Sequence, residues 1–191
     1  MKQRKPNRLK EHDYSGDGYY YFLTICTKDR AETFGRIEKG CMTLNKFGDI
    51  AQDEWTRSQV IRPGIELDSF VVMPNHIHGI IMIRGHVSDL HRNAVGAHSC
   101  APLQRRPRSL GSFVAGYKSS TTKRINELRQ SLGRPVWQRN YHDHIIRTNE
   151  SLEKIREYII NNPAQWALDP ENVHNITRDV LLTERCSKER V

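Results

Sequence analysis

The stretch Val71–Ile83, VVMPNHIHGIIMI, constrains the fold of this chain more than any other segment. An apolar run breaks at Pro74-Asn75 and resumes as an alternating segment. This reads as two adjacent antiparallel strands, Ile65–Met73 and His76–Arg84, joined by a tight turn. Residues two apart on a strand share a face, so His76 and His78 project together while Ile77, Gly79, Ile81 and Ile83 point the other way. A sheet that buries the isoleucine face must carry both imidazoles on the opposite one. Two imidazoles are half of a metal site, but a His-x-His pair taken alone more often marks two ordinary, partly exposed histidines beside a turn. What favours the functional reading is their place at the start of a strand otherwise made of Val, Ile and Met.

Charge narrows the partners. Lys and Arg number 30 against 22 Asp and Glu, a formal charge of +8 with pI ≈ 9.5, which favours a polyanion through long-range attraction. Hydrophobic residues make up 37% of the 191, so one buried core is expected, with part of the length in surface extension or loop. Cys26, Cys41, Cys100 and Cys186 are scattered without a CxxC pair, which argues against a zinc ribbon or a disulfide framework and predicts the reducing cytoplasm. No run approaches the about 20 apolar residues that span a bilayer, and the basic N-terminus has no apolar region behind it, so no membrane is expected.

Residues 1–17 read as a basic arm, 18–166 as the domain and 167–191 as a charged, weakly patterned tail. Within the domain, Tyr19–Thr27 is aromatic and β-branched and predicts a first, central strand. A small hairpin is expected around Gly35 and Gly40. Leu44, Phe47, Ala51 and Trp55 then give the three-and-four spacing of an amphipathic helix over 44–58, with Asn45 placed to cap it. After the Val71–Ile83 hairpin, residues 85–108 lose all periodicity and read as a flexible basic insertion. A second helical period runs from Leu110 to Leu132, stopped by Gly133-Arg134-Pro135. Val136–Arg147 alternates as a further strand, with His142, His144 and Ile146 on one face. Thr148 or Asn149 caps a last helix whose stripe is Leu152, Ile155 and Ile159, and which ends at Asn162-Pro163. This order predicts an α+β fold: a ferredoxin-like antiparallel sheet sandwich with helices on one face and an added C-terminal helix. No GxxxxGK[ST] or GxGxxG motif is present, which removes support for nucleotide-loop enzymes.

On the last helix Tyr158 and Asn162 stand four residues apart and share a face. Helix geometry by itself reads Tyr158 as a core-edge residue with its hydroxyl in water and Asn162 as a terminal cap. Together, however, Met73-Pro74-Asn75-His76-Ile77-His78, the block Trp137–Arg147 and Tyr158-Ile-Ile-Asn-Asn162-Pro163 resemble, in this order, the single-tyrosine HUH transposases. The match is to their REP-associated branch, and it spans roughly residues 19–166. The resemblance implies the same sandwich fold, His76 and His78 as metal ligands, and Asn162 as the polar residue that completes the metal set. It also implies Tyr158 as the nucleophile that cleaves single-stranded or hairpin DNA through a 5′-phosphotyrosine. The cofactor expected is Mg²⁺ or Mn²⁺, although two imidazoles would also accept a transition metal. The partner is DNA, with the protein acting as a monomer or homodimer.

Other features compete or support. His142 and His144 form a second His-x-His beside Tyr141, a rival nucleophile with no amide or carboxylate at helical spacing. In the family match this block supports the site, which makes Asp143 and His144 candidates to orient the tyrosine or a ligand, or to touch DNA. Lys118, Lys123, Arg124 and Arg147 are candidate phosphate contacts, against the alternative of a solvated face. The Gly-Thr-aromatic signature of the REP-associated branch is replaced by Gly18-Tyr19-Tyr20-Tyr21-Phe22, so a preference for REP sequences is not carried over. Two rival functions share the fold: a DNA-binding regulator without turnover, and a replication-initiator or relaxase-type nickase.

Overall fold

The computed structural model describes residues 18–84 and 109–175. The expected arm, the 85–108 insertion and the end of the tail lie outside those residues. Among the described residues the strands and α-helices run in the order β1 (Tyr19–Cys26), β2 (Gly35–Glu38), β3 (Cys41–Leu44), α1 (Lys46–Ile61), β4 (Ile65–Val72), β5 (His76–Ile83), α2 (Leu110–Leu128), β6 (His142–Ile146) and α3 (Asn149–Asn161). The main sheet has the order β4-β5-β1-β6 with every neighbour antiparallel, and β2-β3 form a separate small hairpin. This is the ferredoxin-like sandwich expected from the sequence. Among the described residues no helix is long and apolar enough to cross a membrane.

The sheet separates two cores. Tyr21, Leu23, Ile25, Ile77, Ile81 and Ile83 face α1 and α2 and form the larger cluster with Trp55, Phe113 and Tyr117. The opposite face is covered by α3, where Ile80 and Ile146 meet Leu152 and Ile159. Gly79 is required by packing: a Cβ there would stand 2.3 Å from the Trp55 ring. β4 contains an irregularity between Leu67 and Phe70. The extra residue changes the parity of the strand, so that Ile65 and Leu67 before it and Phe70 and Val72 after it all reach the same core. It also presents Asp68 to α3, where Arg156 donates Nε at 2.9 Å and Nη2 at 2.5 Å to its carboxylate.

Helix ends follow side-chain chemistry. Asn45 caps α1 by accepting from the N–H groups of Phe47 and Gly48, and Thr148 caps α3 by accepting from that of Ser151. α2 stops at Leu128, short of the expected Leu132, because Gln130 takes a left-handed φ of 51°. Gln130 N–H then reaches the carbonyl of Glu127 and Ser131 N–H that of Asn126, the pairing of a Schellman end. The strand expected over 136–147 is confined to His142–Ile146. Trp137 makes a lone bridge to Thr27, and the carbonyls of Gln138 and Asn140 each accept from Lys118 Nζ at 2.8 Å. Those carbonyls are turned to a side chain instead of a ladder.

Candidate active site

β5 fixes the two histidines on the face that α3 crosses, with 0% and 3% exposure and ring centroids 4.3 Å apart. Each ring is held through Nδ1. Asn75 spends its amide N–H groups on the carbonyls of Arg30 and Glu171, so its Oδ1, 2.8 Å from His76 Nδ1, acts as the acceptor. His76 Nδ1 therefore carries the proton and Nε2 presents a bare lone pair. That Nε2 is buried without a hydrogen bond. His78 Nδ1 lies 2.9 Å from the hydroxyl of Thr24, the residue directly opposite on β1, and Phe22 stacks on its ring at 5.2 Å. Such outer partners fix the orientation of metal-binding imidazoles.

α3 brings the other two residues expected from the sequence to the same place. The Tyr158 hydroxyl lies 3.2 Å from His78 Nε2 and 3.4 Å from Asp169 Oδ2, and its ring stands edge-on to Phe22. Tyr158 is 36% exposed, so a polymer can reach it from solvent. Asn162 is buried one turn further on; its Nδ2 donates to Asp169 Oδ2 at 2.6 Å while its Oδ1 has no hydrogen bond. Two buried acceptors beside Asp169, His76 Nε2 and Asn162 Oδ1, thus lack a donor. A cation satisfies such lone pairs, so the residues present fit a metal.

Asp169 was not legible in the sequence, where it falls in the weakly patterned tail. After α3 the chain makes a 3-10 turn, Trp166–Leu168, and buries Asp169 to 3% exposure. Its Oδ2 stands 4.0 Å from His76 Nε2 and 3.9 Å from His78 Nε2, and the three form a buried group able to hold a metal ion. Burial opposes the Asp169 charge, but hydrogen bonding with His78, the field of His76, the Asn162 amide and the Glu171 N–H outweigh it, holding the carboxyl well below its usual range. Burial pushes the His76 imidazole down, reinforced by His78. Burial and then Asp169 push the Tyr158 phenol well above its ordinary value.

Other candidates are placed elsewhere. Asp143 pairs with Leu23 and so belongs to the α1–α2 side of the sheet, whereas His144 pairs with Phe22 and His142 with Thr24 on the Tyr158 side. Tyr141, the rival nucleophile, packs against the larger core with Lys118 Nζ 5.8 Å from its ring. Lys118 is engaged by two carbonyls, and Arg124 is held by Glu54 at 2.8 Å and Asp53 at 3.3 Å. Lys123 and Arg147 are exposed at the surface, with Lys123 Nζ 4.0 Å from the Glu127 carboxylate.

No family model matches the chain. An uncharacterized protein of Haemophilus influenzae is 36% identical over 167 residues, which cover 87% of this chain and 91% of that one. Among solved structures, a REP-associated tyrosine transposase bound to a REP hairpin superposes with a TM-score of 0.54 at 17% identity, covering 83% of this chain and 74% of that one. The chain belongs to one family with the Haemophilus influenzae protein and is, in its fold, a REP-associated tyrosine transposase-like protein.

Proposed function

We propose that this protein is a metal-dependent DNA strand transferase that cleaves single-stranded or hairpin DNA with Tyr158 as nucleophile. The observation that carries the reading is the Tyr158 hydroxyl 3.2 Å from the second histidine of a buried His-x-His, on the face of a helix that also delivers Asn162. Hairpin DNA enters because the transposase of similar fold was solved bound to a REP hairpin.

His76, His78 and Asn162 would hold Mg²⁺ or Mn²⁺ through the two Nε2 atoms and Oδ1. When bound, the ion supplies charge neutralisation and orientation at the scissile phosphate. The chain's own residues do the rest. Thr24 and Asn75 orient the imidazoles, Phe22 packs the tyrosine ring, and α3 holds the phenol oxygen beside His78 Nε2. Attack forms a bond between Tyr158 Oη and phosphorus and breaks the bond from phosphorus to the 3′ oxygen. The phenolic proton leaves to water and a water proton caps the 3′ oxygen. The products are a 5′-phosphotyrosine and a free 3′-hydroxyl, and the reverse step on another 3′-hydroxyl rejoins DNA without a nucleotide cofactor. Exposed Arg147 is available for phosphates, as is Lys123, whose pair with Glu127 is a solvent-exposed one at 4.0 Å; Lys118 and Arg124 are held by closer intramolecular partners.

The test is incubation with end-labelled hairpin DNA and Mn²⁺ or Mg²⁺. A covalent protein–DNA adduct is expected with the natural chain and is expected to vanish in Tyr158→Phe, while Tyr141→Phe retains it. Hairpin binding without an adduct on any substrate would leave the regulator reading in its place.

A further inference from the structure

We infer that Asp169, from the segment beyond α3, is a protein ligand of the cation at His76 and His78, and that this cation takes His78 Nε2 away from Tyr158. The inference rests on the metal-dependent reading above and adds a ligand that the sequence match does not contain.

Three observations carry it. The first is reach: two ligands of one cation with bonds of about 2.1 Å can stand no more than about 4.2 Å apart. Asp169 Oδ2 meets that limit with both histidines, at 4.0 and 3.9 Å.

The second is charge. The ion-pair partners of Asp169 among the described residues are these two imidazoles, and its remaining contacts are neutral amides, a phenol and a backbone N–H. Among the described residues no Lys or Arg pairs with this buried carboxylate, so its charge is left to the imidazole side, where a bound cation would meet it. Hard divalent ions also prefer oxygen ligands, and two imidazoles with an amide are otherwise an uncharged set.

The third is positioning. Oδ1 accepts from the Glu171 N–H at 2.6 Å, Asn162 Nδ2 donates to Oδ2, and Asn175 Nδ2 donates to the Asp169 carbonyl at 3.0 Å. Asn75 bonds both the Glu171 carbonyl and His76 Nδ1, and Arg30 pairs with the Glu171 carboxylate at 2.9 Å. One connected network therefore orients His76 and Asp169 together, with Asn162 steering the carboxylate through its nitrogen and leaving its oxygen to the ion.

Tyr158 follows from the same geometry. Its hydroxyl lies 3.2 Å from His78 Nε2, and a ring nitrogen whose lone pair binds a cation has neither a proton to donate nor a lone pair to accept with. Ion binding therefore releases the phenol from His78.

The experiment is calorimetric titration of the full-length protein with Mn²⁺ alone, without DNA, with circular dichroism checking the fold of each variant. Asp169→Asn, nearly isosteric, is expected to bind Mn²⁺ at least about tenfold more weakly, as is His78→Ala. Tyr158→Phe, which removes the competing hydroxyl, is expected to bind as tightly as the natural chain or several-fold tighter. Glu171→Gln, which loosens the segment but leaves every donor in place, is expected to stay within a few-fold of it. Unchanged Mn²⁺ affinity in Asp169→Asn beside a large loss in His78→Ala overturns the inference. So does a loss in Glu171→Gln equal to that in Asp169→Asn, which would mean order in the segment, not ligation. Absence of Mn²⁺ binding by the natural chain overturns it as well. Because no DNA is present, metal binding through Asp169 with no DNA adduct would sink the nuclease reading and leave this one standing.

Discussion

At the scale of single residues, Gly79 and Thr24 show how the two faces of one strand are specified. Gly79→Ala would push a methyl into the Trp55 ring, itself locked between Phe70, Phe113 and Tyr117. Overpacking of this kind costs about 1–3 kcal/mol, to be read as a lowered urea midpoint. Thr24→Val keeps the shape and removes the hydroxyl beside His78 Nδ1. We expect Mn²⁺ affinity to fall about 10-fold with little change in stability, measured by the same titration as above. Strand and helix periods put the two histidines on one face and Tyr158 with Asn162 on another, but only the resemblance to the single-tyrosine transposases singled them out as a site. Thr24 needed the register of β1 against β5, which the alternation of either strand alone does not contain. Asp169 was out of reach because its burial depends on how an aperiodic segment folds back past Pro163, and no spacing rule links it to His76.

Elements are joined by a few pairs that local patterns do not reveal. Asp68, turned out by the irregularity in β4, is gripped by Arg156 and ties the edge strand to α3, the helix that carries Tyr158. The hydrogen bonds from Arg156 hold the Asp68 carboxyl below its usual pKa. The pair therefore adds stability above the unfolded carboxylate value of about 3.9 and loses it as pH falls through the lower folded value. Asp68→Asn should cost about 1–2 kcal/mol at neutral pH, and its difference from the natural chain should shrink below about pH 4, followed by thermal melts. Helix existence was readable from stripes; helix ends were not always. Gln130 ends α2 in a left-handed conformation before the Gly133-Arg134-Pro135 signal is reached, and Lys118 holds two carbonyls that an extended β6 would have placed in a ladder.

For the whole molecule, the antiparallel order β4-β5-β1-β6 puts the strands that bear the histidines and their supports at the centre, where both faces are used. The order of elements was legible because each hydrophobic period is strong, and the topology then follows from few allowed connections. The charge of +8 acts at this scale too. On the proposed reading, hairpin affinity should fall steeply with salt, and Lys123→Ala or Arg147→Ala should each reduce the log–log slope by about 0.7–0.9 if it neutralises one phosphate. Arg124→Ala should leave that slope unchanged, because Glu54 and Asp53 already occupy its guanidinium; fluorescence anisotropy over a salt series decides. The two-sided use of β5 also has an evolutionary reading. A complete substitution map of residues 76–83, scored once for soluble yield and once for strand cleavage, should resolve into interleaved sets. Positions 77, 79, 81 and 83 would limit yield, positions 76 and 78 would limit cleavage at normal yield, and Ile80 would side with the first set because it anchors the smaller core. On the proposed reading, loss of strand cleavage and loss of the fold are thus separable events along eight consecutive codons, so a lineage could retire the chemistry while keeping the scaffold intact.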